Sequence, residues 1–184
     1  MKLTLPITQE QILNARPSKD AWPEGVRVVW SEYGDMEIQA NRRISGREID
    51  AVLWGMQVGQ TQQKKQELLD RLNQLADSAL SKGFTSSALG APHRYDLRME
   101  DQMNLTGLVI AQIDSPFRCQ AQSAPFKEHK PHTKEQLKQV FEEGLAYKAR
   151  VLNFYGAQKA QVESLQELKS LEAFELQELK EGDA

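Results

Sequence analysis

The side chains with chemical potential are few and scattered. His93 stands between Pro92 and Arg94, with Asp96 and Asp101 following within eight residues. A histidine beside carboxylates is the raw material of a general base, but it needs a cleft and a carboxylate in hydrogen-bond reach. No G-x-S-x-G nucleophile turn accompanies it. Cys119, His129 and His132 are metal-ligand types, yet the C-x9-H-x2-H spacing lacks a second thiolate and matches no ordinary zinc framework. Neither G-x-x-x-x-G-K-[ST] nor G-x-G-x-x-G occurs, so no phosphate-cradling loop is written into the chain. The pattern calls for no catalytic residue, metal or cofactor. It predicts a non-enzymatic protein in which His93 or Tyr95 closes a hairpin over neighbouring helices.

Positioning those residues falls to the stretch from Gln62 to Gln112. Leu68, Leu72, Leu75 and Ala79 recur at steps of three and four, the spacing of one helix face, and Gly83 can end that helix in a left-handed conformation. From Phe84 to Tyr95 the chain carries Gly90, Pro92 and small residues, which predicts two short extended pieces around a turn. Asp96 then reads as an N-cap, and Met99, Met103, Thr106, Ile110 and Ile113 step along a second helix expected to pack on the first. In that helix Asn104 is expected to hydrogen-bond the backbone of the hairpin, with Gly107 letting the two helices approach closely.

Read in order, these residues resemble a known family. A helix closing on Ala76, Asp77, Gly83 and Phe84, a hairpin ending Gly90, His93, Tyr95 and Asp96, and a helix bearing Asp101, Gln102, Asn104, Leu105, Thr106 and Gly107 are similar to a domain of unknown function found in tailed-bacteriophage tail proteins. The resemblance runs from about Gln62 to Leu171. It implies a setting, the virion tail assembled in the host cytoplasm, with other tail, baseplate or fibre proteins and further copies of the chain as partners. It carries no catalytic residue.

Upstream, VRVVWSEY and MEIQA alternate apolar and polar residues around Tyr33-Gly34-Asp35, predicting a hairpin that needs a third strand, such as Leu3 to Leu5, or other cover. Thr8 with Gln11 and Ser45 with Glu48 have capping-box spacing for two helices, the second with Ile49, Val52, Leu53 or Met56 on its apolar side and weakened by Gly55 and Gly59. The polar, glutamine-rich run from Gln57 to Lys65 reads as a seam or an exposed helical turn, which places a boundary near Gln60. The expected fold is α+β: an N-terminal β-containing docking unit over 1–60, then a mainly helical domain over 61–184 with a short hairpin between two helices.

Downstream, Phe117 to Lys130 reads as a loop or edge strand pinned by Phe117 and Phe126. Thr133 and Gln136 then open what the spacing makes the longest helix, with Leu137, Val140 or Phe141, Gly144, Lys148, Val151, Tyr155, Gln158 and Val162 on one side. Ser164 and Glu167 predict a last, acidic helix through Phe174 and Leu176.

Composition narrows the function. The chain has 184 residues, a net charge of −3 and 40% hydrophobic residues. That balance permits a packed core and disfavours generic binding to nucleic acid. No apolar run is long enough to insert in a membrane. Trp22, Trp30 and Trp54 all fall in the first 60 residues and read either as that unit's own small core, the safer reading, or as anchors for a partner; with Phe174 and Leu176 they are the candidate interface side chains. The expectation is therefore a structural tail, baseplate or fibre-attachment component. The alternative is an assembly chaperone that leaves before the particle is finished.

Overall fold

The computed structural model describes residues 2–3, 24–30, 36–40 and 42–180. The capping-box helix expected from Thr8, and Trp22, lie outside them. The protein is α+β and divides into two compact units: Met1–Leu69 with Gln161–Glu175, and Asp70–Ala160 with Leu176–Ala184.

In the first unit, β2 (Val26–Trp30) and β3 (Met36–Ala40) form the antiparallel hairpin, with Val28 opposite Ile38 and Trp30 opposite Met36. The short β1 (Lys2–Leu3) pairs with the free edge of β3, giving the order β1-β3-β2. A third strand is what a hairpin needs to persist in water.

Helix α1 (Gly46–Lys82) then runs for 37 residues. Its start is a capping box: the Glu48 N–H donates to Ser45 Oγ at 3.3 Å, and the Ser45 N–H donates to the Glu48 carboxylate at 2.9 Å. Gly55 and Gly59 each cost the helix roughly 1 kcal/mol. Val52 and Met56 are buried beside them, and full burial of such side chains contributes roughly 1.5–3 kcal/mol apiece, so packing wins and the helix continues. The run from Gln57 to Lys65 is consequently helical throughout, with Gln60 buried in its middle.

The same unit holds the end of α3 (Lys134–Ser164) and the five-residue α4 (Leu168–Glu172), which bury Val162 and Leu171. Lys65 Nζ donates to the Glu163 carbonyl at 3.0 Å. Ser164 does not cap a new helix; its hydroxyl donates back to Gln161 O at 2.7 Å, within α3. Glu167 precedes α4 without a side-chain cap bond. The last helix thus stops at Glu172, and Phe174 and Leu176 lie in non-helical chain, both partly buried.

The second unit is built on a four-stranded antiparallel sheet in the order β4-β5-β6-β7: β4 (Phe84–Ser86), β5 (His93–Tyr95), β6 (Ser115–Ala121) and β7 (Glu128–His132). Gly83 ends α1 at φ 76°, and a Cβ there would lie 2.1 Å from the Tyr95 carbonyl oxygen. Only glycine fits a left-handed residue pressed against backbone. The strands alternate: Phe84, Ser86, His93, Tyr95, Phe117 and Cys119 point inward, while Thr85, Arg94 and Arg118 are exposed.

Residues 117–130, read from sequence as loop or edge, supply two strands, and β6 lies inside the sheet. Pro116 and Pro131 face each other in the β6–β7 register, yet β5 pairs only with residues 120–121 of β6. Pro116 therefore sits where its missing N–H is not required by β5, and Pro131 on an edge strand. Phe117 is buried as expected, whereas Phe126 is 74% exposed.

Helix α2 (Met99–Ala111) and residues 134–160 of α3 complete this unit. Its core joins Phe84, Tyr95, Leu105, Phe117, Cys119, Leu137 and Val140. The Thr133–Gln136 capping box forms as spaced, with Gln136 N–H to Thr133 Oγ1 at 3.3 Å and Thr133 N–H to Gln136 Oε1 at 2.9 Å. Leu137, Val140, Gly144, Val151, Tyr155 and Gln158 are buried along α3, although α1 exceeds its 31 residues.

Two helical glycines differ in what surrounds them. A Cβ on Gly144 would lie 2.9 Å from the Phe84 ring, which is stacked on Tyr95 and Tyr147, whereas one on Gly107 would meet nothing within 4 Å. Gly144→Ala should cost about 1–3 kcal/mol by overpacking. Gly107→Ala should stabilise by about 0.5–1 kcal/mol through helix propensity. Urea unfolding of the two variants should move the midpoint in opposite directions.

Candidate functional site

Helix α2 does not bury the stripe that its spacing picks out. Met99, Met103 and Ile110 are 72%, 68% and 77% exposed, and Ile113 just beyond the helix is half exposed. The buried side is Leu105, with Leu108 and Val109 packed against the core. The apolar residues of α2 fall on more than one side, so two faces compete. The winning face is fixed by polar pins. Gln102 Nε2 donates to the Leu97 carbonyl at 2.5 Å, and Lys148 Nζ on α3 donates to Gln102 Oε1 at 3.1 Å. Thr106 Oγ1 donates to Gln102 O at 2.7 Å.

Three sequence expectations change with this orientation. Arg98, in extended conformation and without a side-chain cap bond, precedes α2; Asp96 instead forms an ion pair with Lys127. Asn104 is exposed, and the bridging amide is Gln102. Gly107 is exposed and abuts no neighbouring element, so it does not mediate a close helix approach.

The result is a set of solvent-facing apolar side chains on α2, Met99, Met103 and Ile110, four and seven residues apart, with Ile113 beyond the left-handed Gln112 that ends the helix. Such a set suits a partner helix, and large exposed apolar side chains in series mark interaction sites on soluble proteins. Leu145 and Leu152 on α3, each half exposed, flank Lys148 by three and four positions. The Gln102–Lys148 hydrogen bond ties α2 to α3. Among the tryptophans, Trp54 on α1 is 67% exposed, and Trp30 lies in β2 opposite Met36.

Of the titratable residues singled out from sequence, His93, Cys119 and His132 gather around Tyr95 and Lys130. Tyr95 OH and His132 Nε2 are 2.9 Å apart, and His132 Nδ1 is 2.7 Å from the Lys130 carbonyl. A carbonyl only accepts, so Nδ1 carries the proton and Nε2 receives the Tyr95 hydroxyl. By the same reasoning His93 donates from Nδ1 to Ala91 O at 2.8 Å and accepts from Lys130 Nζ at 3.2 Å on Nε2. The Cys119 thiol lies against the Tyr95 hydroxyl.

Burial raises the pKa of both Tyr95 and Cys119 and lowers that of His132, with nearby His93 adding to the last effect. Each shift favours the neutral form. Among the described residues no group of three or more His, Cys, Asp or Glu is placed to hold a metal ion. His129 lies on β7 opposite Arg118. The arrangement is suited to holding three strands in register and offers no poised nucleophile.

His132 also sets an acid limit on stability. Its folded pKa lies below the unfolded value of about 6.5, so the unfolded chain binds the extra proton first as pH falls. Stability from this group is complete above that value and should be lost progressively below it. Thermal unfolding from pH 7.5 to 5 should show a falling Tm, with a shallower fall in His132→Gln, itself less stable at neutral pH.

No helix of the described residues is long and apolar enough to cross a membrane. No curated protein and no solved structure matches the chain. One family model does match, over residues 63–177, from the polar part of α1 through the sheet and α3 to the segment after α4. The chain therefore belongs to the family described as a domain of unknown function, DUF4376.

Proposed function

We propose that this protein is a non-enzymatic structural component of a tailed-phage virion, an accessory tail, baseplate or fibre-attachment part. The observation that carries the interaction role is the set of exposed apolar side chains on α2, Met99, Met103 and Ile110, with Ile113 just beyond the helix. Side chains of this kind gain by leaving water, and Met99, Met103 and Ile110, at steps of four and seven along one side of α2, are suited to another helix, from a tail subunit or a further copy. Trp54, exposed on α1, is a second anchor of the type enriched at interface hot spots.

The phage setting rests on the resemblance of the stretch from about Gln62 to Leu171, carried by the residues from Ala76 to Gly107, to a domain found in tail proteins. The buried His93, Tyr95 and His132 support the non-enzymatic reading, because their ring nitrogens and hydroxyl are engaged with one another, with the Lys130 ammonium or with backbone.

Mass spectrometry of purified particles tests the proposal. Stoichiometric presence in the tail is expected. Absence from particles whose production nevertheless requires the protein would make it an assembly chaperone, and absence without any production defect would refute both readings. Met103→Lys should shift folding stability by no more than about 0.5 kcal/mol, since the side chain already faces water, while lowering incorporation into particles.

A further inference from the structure

The second unit carries a cleft of about 800 Å³. Its walls come from the last turns of α1, the starts of β4 and β5, the end of β6, the middle of α3 and residues 178–180. The volume lies in the range of small-ligand sites. Four cationic side chains line it, Lys82, Arg94, Arg150 and Lys180, against two carboxylates, Glu143 and Glu178. That is a local excess of positive charge on a chain whose net charge is −3.

Arg150 is the most informative of the four. Its guanidinium carbon sits 5.2 Å from the centroid of the Tyr147 ring, and the Tyr147 hydroxyl is itself anchored by donating to Ala79 O at 3.0 Å. The stacking holds the fork in place. Arg150 Nε is nevertheless buried and has no hydrogen-bond partner. A buried guanidinium donor left unpaired is costly, and native structures seldom keep one without a reason. Two oxygens of one planar or tetrahedral oxyanion, approaching side-on, would engage Nε and the adjacent terminal nitrogen together.

The surroundings favour the same ligand chemistry. Arg94 Nε donates to the Lys82 carbonyl at 2.5 Å, which fixes a second guanidinium where it lines the cleft beside the Lys82 ammonium. The far wall is held by side chains rather than by a strand. Gln158 pairs with the Gln177 backbone in both directions, at 3.1 and 2.8 Å, and the Leu179 N–H donates to Tyr155 OH at 3.3 Å.

We propose that this cleft binds an oxyanion group, a carboxylate or a phosphate, with Arg150 as its two-pronged clamp and Lys82 and Arg94 as flanking charges. The group belongs either to a free small anion or to an acidic side chain presented by a protein partner. The site is independent of the α2 face on which the assembly role rests.

Titration of the full-length protein with inorganic phosphate, and separately with a glutamate-rich hexapeptide at matched ionic strength, tests this by calorimetry and by NMR of the arginine Nε–H signals. Saturable binding that shifts the Arg150 signal is expected. Phosphate alone would assign a free anion, and the peptide alone a protein carboxylate. Arg150→Gln should weaken binding about tenfold or more, with Arg150→Lys recovering only part of it, because charge remains while the fork is lost. Arg94→Gln, at an exposed site, should weaken binding less and provides a check if Arg150→Gln does not fold. Failure of both probes to saturate, or an unmoved Arg150 signal in the wild type, would overturn the proposal.

Discussion

The hydroxyl of Tyr95 has to be satisfied away from water. Tyr95 is almost fully buried, with its ring stacked between Phe84 and Phe117 at 5.7 and 6.3 Å, and the edge of His132 against it at 5.8 Å. Leaving such a hydroxyl unpaired costs on the order of 1–3 kcal/mol, a large share of a small domain's stability. Its bond to His132 Nε2 crosses from β5 to β7, with β6 between them. A register slip of one residue in any of these strands would turn Tyr95, Phe117 or His132 to the wrong face. The order β4-β5-β6-β7 and the left-handed Gly83 that feeds it are thereby coupled to one hydrogen bond. Burial keeps the members neutral, so the network holds strands in register without bringing a charge into the core.

Helix α2 shows a different constraint. Its apolar residues fall on more than one side, and hydrophobicity alone does not choose which side is buried. The choice follows from Gln102, whose amide accepts from Lys148 and donates to Leu97 O. Satisfying that amide inside the unit turns Leu105 inward and leaves Met99, Met103 and Ile110 in water. The exposed row is therefore a consequence of polar satisfaction, and the side chains it leaves out are the ones available for another subunit.

The features legible in the sequence are those set by local chemistry. Ser45 with Glu48 and Thr133 with Gln136 form reciprocal caps because their spacing alone determines the geometry. Gly83 had to be the left-handed residue because an ordinary side chain would strike the Tyr95 carbonyl. Long-range partners were not legible. Asp96 precedes α2 like a cap, but Lys127, 31 residues away, takes its carboxylate. Ser164 and Glu167 have the spacing of a cap, yet Ser164 is held by Gln161 in the preceding helix. Pro116 and Pro131 concealed two strands, since whether a strand tolerates proline depends on which neighbours it has. For the candidate sites, Trp54 stands out by its type, and its exposure on α1 separates it from a core residue. Arg150 was missed because its significance lies in a stacked ring and an unpaired nitrogen, neither of which has a sequence signature.

Glutamine accounts for much of what remains. Its amide donates and accepts at once, on a side chain long enough to reach a neighbouring element, so it can replace a missing backbone partner. Gln158 does this for Gln177, imitating the two-way bond of an adjacent strand and fixing an extended segment where no sheet edge is present. Gln102 does it for the carbonyl of Leu97 at the start of α2. A glutamine-rich stretch can therefore read as a seam by composition and still be regular structure, as the run from Gln57 to Lys65 is within α1. Neutral amides also leave the formal charges free to gather elsewhere, and Lys82, Arg94 and Arg150 do so around a single cleft. In this protein amides such as Gln102 and Gln158 organise the fold, while the apolar side chains of α2 face solvent and Arg150 lines the cleft.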